Sequence, residues 1–473
     1  MVTLLSACPL LVLLSQAGTA QAGTAQAGTA QAGTAQAGTE QSPPDLVLIM
    51  ADDLGYGDLS CYHTDNPDWP DAPPATTQTP HIDALAARGR RFLDYHAQPV
   101  CSPTRAALMT GRYPQRTGVG GVIYADPKQN RHHGLDPSET TIAGVLRDAG
   151  YRTAAIGKWH LGYDVRFNPL AHGFGRFRGY VSGNIDYVSH LDRMGIPDWY
   201  DGTQLVPERG YVTDLVTQHA LAWLREAGDA PSFLYVAHEC PHDPIQAPGD
   251  RPVRRSGHVG NTWGHKGPAR DEARREMIAA MDRGVGQLVA EIERSGRSTL
   301  MIFCSDNGAV RFGDNGPLRG HKGQIYEGGQ RVPLIVAAFG PGSDSLVWSD
   351  ADARGRVIRD LSMTADLLPT LADYANAPLP SDLDGQSLRA AIASPPREAS
   401  HRTIFQRYRT GSFMRQGRWK YVQPSKGSGE LYDLSRDLGE TQPVDDPDRA
   451  GAMRTRLAEW QQNVMKNATP QPD

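Results

Sequence analysis

Leu46-Val47-Leu48-Ile49-Met50, followed at once by Ala51-Asp52-Asp53, is the stretch from which the fold can be read. Five consecutive apolar residues ending in two carboxylates predict a short buried strand with a polar end. Outward from it, helical and extended patterns alternate. Helices are expected over His81–Arg91, Thr104–Thr110, Thr140–Ala149, Tyr211–Ala227 and Asp271–Ser295. Strands are expected over Thr153–Ile156, Phe233–Ala237, Thr299–Cys304 and Val332–Ala338. Such alternation predicts an α/β fold: a mostly parallel sheet with helices on both faces. From about residue 398 the texture changes. Short strands over Thr403–Arg407, Gly411–Arg415 and Trp419–Gln423 precede a helix over Ala450–Val464, which predicts a smaller C-terminal α+β domain.

Composition bounds the function classes. The chain has 473 residues, 39% of them hydrophobic, with 50 further glycines, which leaves ample material for a core. A net charge of −5 argues against nucleic-acid binding. The cysteines are Cys8, Cys61, Cys101, Cys240 and Cys304, with no C-x-x-C pair, so neither a cysteine zinc ribbon nor a disulfide scaffold is expected. No apolar run is long enough for an ordinary transmembrane segment. Residues 1–15, MVTLLSACPLLVLLS, predict an export signal and hence a periplasmic or extracellular location, with lipoprotein anchoring at Cys8 as the less favoured alternative. Residues 16–40 repeat Gln-Ala-Gly-Thr-Ala with no face to bury and are expected to be a disordered tether or processed leader. The domain reading is therefore a leader over 1–40, a main domain over 41–397 and a C-terminal domain over 398–473.

Open α/β sheets bind ligands beyond the carboxyl ends of their strands. Four polar segments stand at such ends. Asp52-Asp53 offers hard oxygen ligands for a cation, or a turn with Asp53 as a helix cap. Ser305-Asp306-Asn307-Gly308 offers ligands of the same kind, or an Asn-Gly turn. Cys101-Ser102-Pro103-Thr104-Arg105 places a thiol just before a helix start, where an anion is favoured, or is a buried structural cysteine. Gly157-Lys158-Trp159-His160-Leu161-Gly162 can turn a lysine and a histidine into one pocket, or is a surface turn around a packed Trp. His238-Glu239-Cys240-Pro241-His242 matches the zinc-protease pattern H-E-x-x-H. However, that pattern needs a helix, and here it follows a strand and contains a proline. Gly118-Val119-Gly120-Gly121 lacks the full dinucleotide fingerprint, and His132-His133 reads as a solvated loop pair.

Cys101-Ser102-Pro103-Thr104-Arg105 with the following Ala-Ala-Leu-Met-Thr-Gly-Arg resembles the C-x-P-x-R signature of formylglycine-dependent sulfatases. Gly157–Gly162, Ala51–Asp58, Ser305–Gly308 and His321–Gly329 match further family segments in order, from about Asp45 to Leu434. The resemblance implies an alkaline-phosphatase-like core with a smaller C-terminal domain. It implies that a separate maturation enzyme oxidises Cys101 to formylglycine, and that Asp52, Asp53, Asp306 and Asn307 bind Ca2+ together with residue 101. In that reading the hydrated aldehyde, activated by the metal and Arg105, attacks sulfur, and Lys158 and Lys322 neutralise the sulfate oxygens. His242 protonates the departing alcohol, and His160 takes the proton that lets the aldehyde reform. Ser182 matches a position near the sulfate, while Asn184, Asp186, His190 and Arg311 are candidates for the substrate subsites. The implied substrate is a sulfated carbohydrate or an aryl sulfate. The alternatives are a phosphatase or phosphonate monoester hydrolase on the same core, a carbohydrate-binding protein with an inactive site, and a zinc protease using His238 and His242.

Overall fold

The structure is a computed structural model that describes residues 43–226, 228–259, 263–342, 346, 355–393, 402–466 and 468–471. The export signal, the repeats and the 397/398 domain boundary lie outside the described residues. The strands are β1 (Asp45–Ala51), β2 (Arg90–Phe92), β3 (Tyr95–His96), β4 (Arg152–Lys158), β5 (Arg176–Tyr180), β6 (Tyr200–Asp201), β7 (Gln204–Leu205), β8 (Ser232–Ala237), β9 (Thr299–Ser305), β10 (Leu334–Phe339), β11 (Val357–Ile358) and β12 (Ser362–Met363). A C-terminal sheet comes next, made of β13 (Thr403–Tyr408), β14 (Gly411–Gln416), β15 (Trp419–Pro424) and β16 (Glu430–Asp433). The helices flanking the main sheet include α1 (Pro80–Arg88), α2 (Cys101–Thr110), α3 (Ile142–Asp148), α4 (Val212–Arg225) and α5 (Gly267–Ser295).

The main sheet has the order β11-β2-β10-β9-β1-β8-β4-β5-β6-β7. Its middle, from β9 to β5, is parallel, with β1 between β9 and β8. Every residue of β1 is buried, as expected for a strand covered on both faces. Leu46, Leu48 and Met50 point to the core beneath α2 and α3, and Val47, Ile49 and Ala51 to the core beneath α1, α4 and α5. Fully burying each of the larger side chains, Leu, Val, Ile and Met, contributes about 1.5–3 kcal/mol. The register aligns the strand ends. Ala51 lies beside Ser305, Met50 beside Ala237, and Ala237 beside Gly157. The four chains therefore leave the sheet together at one carboxyl edge.

Some elements differ from the sequence reading. The first helix ends at Arg88 rather than Arg91, and Arg90–Phe92 pairs with β10 instead. Gly89 allows this turn, because a Cβ there would lie 2.4 Å from the Val336 carbonyl oxygen. β10 runs antiparallel to β9, since the Asp306–Pro333 loop returns without a crossover helix. Helix α2 starts at Cys101 itself, with Val100 extended before it.

The C-terminal part is the antiparallel sheet β13-β14-β15-β16 with a helix, Pro447–Lys466, across it. Met453, Leu457, Trp460 and Val464 form that helix's buried stripe against Phe413, Val422 and Leu431. The four-residue β16 had no alternation long enough to be read. A buried ion network joins this sheet to the main one. Arg415 holds Asp94 at 2.5 Å and Glu327 at 3.0 Å, and Lys420 holds Glu327 at 2.8 Å and Glu440 at 2.9 Å. Asp94, His96 and Glu327 could by spacing hold a metal, but arginine and lysine already occupy both carboxylates.

Candidate active site

The carboxyl edge of β1, β9, β8 and β4 brings Asp52, Asp53, Asp306, Asn307, His242, Lys158 and His160 around the first residue of α2. Asp52 is fully buried. It accepts from Lys158 Nζ, lies 3.5 Å from Cys101 Sγ and stands 3.6 Å from Arg105. Asp53 takes a left-handed backbone conformation (φ 62°), and its N–H donates to Asp306 Oδ1 at 3.2 Å. That turn aims Asp53 Oδ1 at Lys322 Nζ, 2.6 Å away, and at Asn307 Nδ2, 2.7 Å away. Arg105 binds Asp306 Oδ2 at 2.9 Å, and Thr104 donates to the Asp306 carbonyl at 2.5 Å.

Two oxygens in this cradle, Asp53 Oδ2 and Asn307 Oδ1, are buried with no hydrogen-bond partner. Leaving such atoms unpaired is costly unless something else satisfies them. Donor atoms of Asp52, Asp53, Cys101 and His242 also lie within 4.8 Å of one another. Burial pushes the Asp52 and Asp53 carboxyls up, with Asp306 adding to the effect on Asp52 and Asp52 to that on Asp53. A hard divalent cation would relieve both problems, and the oxygen donor set suits calcium. Three carboxylates face three cationic side chains here, so a bound divalent ion would leave the site positive and ready for an anion.

Cys101 is the first residue of α2, where unpaired helix N–H groups favour negative charge. Its thiol is nevertheless pushed up by burial and by Asp306 and Asp52. As a plain cysteine it is protonated at neutral pH and a poor nucleophile. Arg105 also donates to Tyr235 Oη at 3.1 Å and, like Lys158, lies buried below the cavity wall.

The wall of a cavity of about 300 Å³ includes Asp53, Cys101, His160, His242 and Lys322. His242 Nδ1 meets the Asp243 carbonyl at 2.7 Å, which turns Nε2 toward Asp53, 3.7 Å away. His160 Nε2 meets the Ile123 carbonyl at 2.9 Å, and its Nδ1 has no partner. Burial, then Lys322 and Lys158, holds His242 well below the usual imidazole range. Burial and Lys158 do the same to His160, so both rings are neutral at rest.

Asn184 lines the cavity, held by Arg193 at 3.0 Å and Arg254 at 3.1 Å. Ser182 lies outside the wall, its hydroxyl donating to the Asn184 carbonyl at 3.0 Å. Arg311 is exposed and also outside it, while its neighbour Val310 lines it. Asp186 binds four backbone N–H groups, and His190 binds the Gly210 carbonyl, so both serve the loop's own structure. His238-Glu239-Cys240-Pro241-His242 is not helical. His238 is sealed beneath the surface while His242 faces the cavity, so the two cannot form a zincin pair. Sequence reasoning missed Tyr163, Arg193, Asp243 and Trp263 in the wall. Arg193 lies 5.6 Å over the Trp263 ring and 2.9 Å from Asp243, an arrangement with no local sequence signal.

His238 carries a stability consequence that it shares with His172. Burial lowers both to about 4, and neither ring nitrogen of either residue has a partner. The ordinary value is about 6.5, so between those limits the unfolded chain binds more protons. Stability is therefore complete above about pH 6.5 and falls as pH drops toward 4, by on the order of 3 kcal/mol for each histidine. The His172 ring lies tilted against Trp159, ring centroids 5.4 Å apart. The variant His172→Phe should lose less thermal stability than the parent between pH 7.5 and 5. An unchanged acid shift would reject this account.

Comparison with known proteins places the chain. The Sulfatase family model matches residues 44–377. Human arylsulfatase A is 33% identical over 464 residues, covering 84% of this chain and 82% of that protein. Rat N-acetylgalactosamine-6-sulfatase is 32% identical over 375 residues, covering 73% of this chain and 65% of that protein. The crystal structure of Ps i-CgsB in complex with k-i-k-neocarrahexaose superposes with a TM-score of 0.73 at 26% identity, covering 90% of this chain and 94% of that one. At 20% identity, BT4656 in complex with its substrate D-glucosamine-2-N,6-O-disulfate (TM-score 0.67; 90% and 98% covered) shares the fold. So does the phosphonate monoester hydrolase of Agrobacterium radiobacter (TM-score 0.60; 89% and 95% covered). An oxygen-lined cradle beside a buried cysteine, on a chain matched this widely, identifies a member of the sulfatase family, a sulfuric ester hydrolase.

Proposed function

We propose that this enzyme hydrolyses sulfate monoesters on carbohydrates, using Ca2+ and a formylglycine made from Cys101 by a maturation enzyme, in an exported chain. The observation that carries the reading is the pair of unpartnered buried oxygens, Asp53 Oδ2 and Asn307 Oδ1, in a carboxylate cradle against Cys101. Asp52, Asp53, Asp306 and Asn307 would hold the ion with residue 101. When present, the ion and the aldehyde hydrate would supply a polarised ester and a hydroxyl nucleophile of low pKa.

The chain's own residues do the rest. Arg105 and Lys158, buried under the cradle, pair with Asp306 and Asp52 and hold them in place. Lys322 reaches the cavity wall and neutralises ester oxygens there. His242, with its Nδ1–H committed to the Asp243 carbonyl, aims Nε2 away from that bond, and that nitrogen must take up a proton before it can give one to the departing alcohol. His160, which lines the same cavity as residue 101, keeps Nδ1 free to take a proton. Asn184 bounds the sugar side of the cavity, and Ser182 and Arg311 act behind or beside it.

A carbohydrate substrate is supported by the sugar-bound relatives and by a wall mixing Tyr124, Tyr163 and Trp263 with Asn184, Arg193 and Asp243. Aromatic faces with fixed polar groups suit a sugar ring. The test is a rate comparison on one preparation whose conversion at position 101 has been verified. Sulfated mono- and disaccharides and an aryl sulfate should turn over faster than the matching phosphate and phosphonate esters. The reverse order would replace this reading with the phosphatase or phosphonate hydrolase one.

A further inference from the structure

A second cavity, of about 760 Å³, lies beside the first, between residues 115–121 and the C-terminal sheet and helix. Its size is within the ~300–1,000 Å³ of small-ligand clefts. Its wall includes Arg407 and Arg409 with Gln115, Gln423 and Gln461, and among the described residues no Asp or Glu. In a chain of net charge −5, such a wall selects for an anionic, hydroxyl-rich ligand. Arg407 is exposed, and among the described residues its guanidinium meets no carboxylate within ion-pair distance.

The two cavities are lined by neighbouring stretches of the same chain segment. Gly118, Gly120 and Gly121 line the second, and the next four residues, Val122–Ala125, line the first. Arg409 crosses the divide, donating to Tyr124 Oη at 3.4 Å. The β13–β14 turn is tied to the Lys322 loop by Thr410, whose hydroxyl donates to the Gly323 carbonyl at 2.9 Å. The glycines at 120 and 121 are not explained by the fold. Neither has a positive φ, a Cβ at 121 would meet nothing within 4 Å, and one at 120 would come no closer than 3.7 Å. Open space over bare backbone, next to two arginines, is what a ligand pressed against the chain requires.

We propose that this second cavity is a subsite for a further anionic sugar of the same glycan whose sulfate ester occupies the first cavity. The inference rests on the sulfate-ester reading and extends it from a monosaccharide pocket to an oligosaccharide track. Gly121→Leu should fill the track without disturbing the fold, and Arg407→Ala should remove charge from it. The readout is kcat/KM on sulfated di- to hexasaccharides from carrageenan (sulfate only) and chondroitin sulfate (sulfate and carboxylate), beside 4-methylumbelliferyl sulfate. Each variant should lose roughly tenfold more on the hexasaccharide than on the aryl sulfate, mostly through KM, Gly121→Leu by blocking the track and Arg407→Ala by losing one charged contact. The parent's preference for the longer substrate should shrink as salt rises.

Which glycan series shows the length preference tells whether sulfate or carboxylate fills the subsite. Equal losses on short and long substrates, or none on either, would overturn the proposal. If the enzyme hydrolyses neither the aryl sulfate nor any sulfated saccharide, the sulfate-ester reading fails separately. Calorimetric titration with the sulfated hexasaccharides then decides the cavity. Binding to the parent but not to Arg407→Ala upholds it, and no binding to the parent overturns it.

Discussion

Replacing Cys101 with alanine should reduce sulfate-ester turnover by roughly 10⁴-fold or more, the scale on which enzymes lose activity with their nucleophile. The fold should survive. The thiol makes one long contact, 3.5 Å to Asp52, and alanine suits the first turn of α2. The same experiment separates two chemistries. The native thiol is held protonated by burial and by two carboxylates, so an unconverted preparation should be as inactive as the alanine variant. Activity across preparations should therefore track the fraction of residue 101 whose peptide mass shows CH2SH changed to CHO. An unconverted thiol enzyme with full activity, or Cys101→Ala within tenfold of the parent, would end the formylglycine reading.

Stripping divalent ions with a chelator should cost about 10³-fold in kcat/KM, the equivalent of several kcal/mol of charge stabilisation. Calcium should restore activity better than zinc, because the two buried oxygens left without a partner belong to a carboxylate and an amide, Asp53 Oδ2 and Asn307 Oδ1, and the Cys101 thiol in the same cluster is held protonated. The loss should also appear in stability. A ligand present at about 1,000 times its Kd stabilises the folded state by about 4 kcal/mol, so the thermal midpoint should rise with added calcium. Asp53→Asn should weaken that calcium dependence, since it removes a charge while keeping the side chain's shape and its turn. Full activity in a preparation shown by elemental analysis to be metal-free would refute the cation's role.

Much of this site was legible in the chain because the chemistry stands immediately after short apolar strands. Leu46–Met50 and Thr299–Cys304 each run on into a pair of oxygen-bearing residues, and the cysteine segment carries in Pro103 a residue suited to the first turn of a helix. Those are local patterns, and local patterns record element type and period. The cavity's far wall was not legible. Arg193, Asp243 and Trp263 come from loops between 20 and 70 residues apart and meet only through contacts such as Arg193 with Asp243. The subsite guesses drawn from those loops met mixed fates. Asn184 faces the cavity, whereas Asp186 turned inward to bind four backbone N–H groups that would otherwise be unpaired. A carboxylate in a loop looks the same in sequence whether it serves a ligand or the loop's own backbone.

The sequence by itself determined the α/β class, the residue types at each strand end and the position of the Cys101 segment, because hydrophobic period and short motifs are properties of neighbouring residues. Only the tertiary structure decided that β1 lies between β9 and β8, in a register that sets Ala51 beside Ser305 and Met50 beside Ala237. Strand pairing is a choice among distant partners made by packing and backbone hydrogen bonding, and no local period encodes it. That choice brings Asp53 to Asn307 and Lys322.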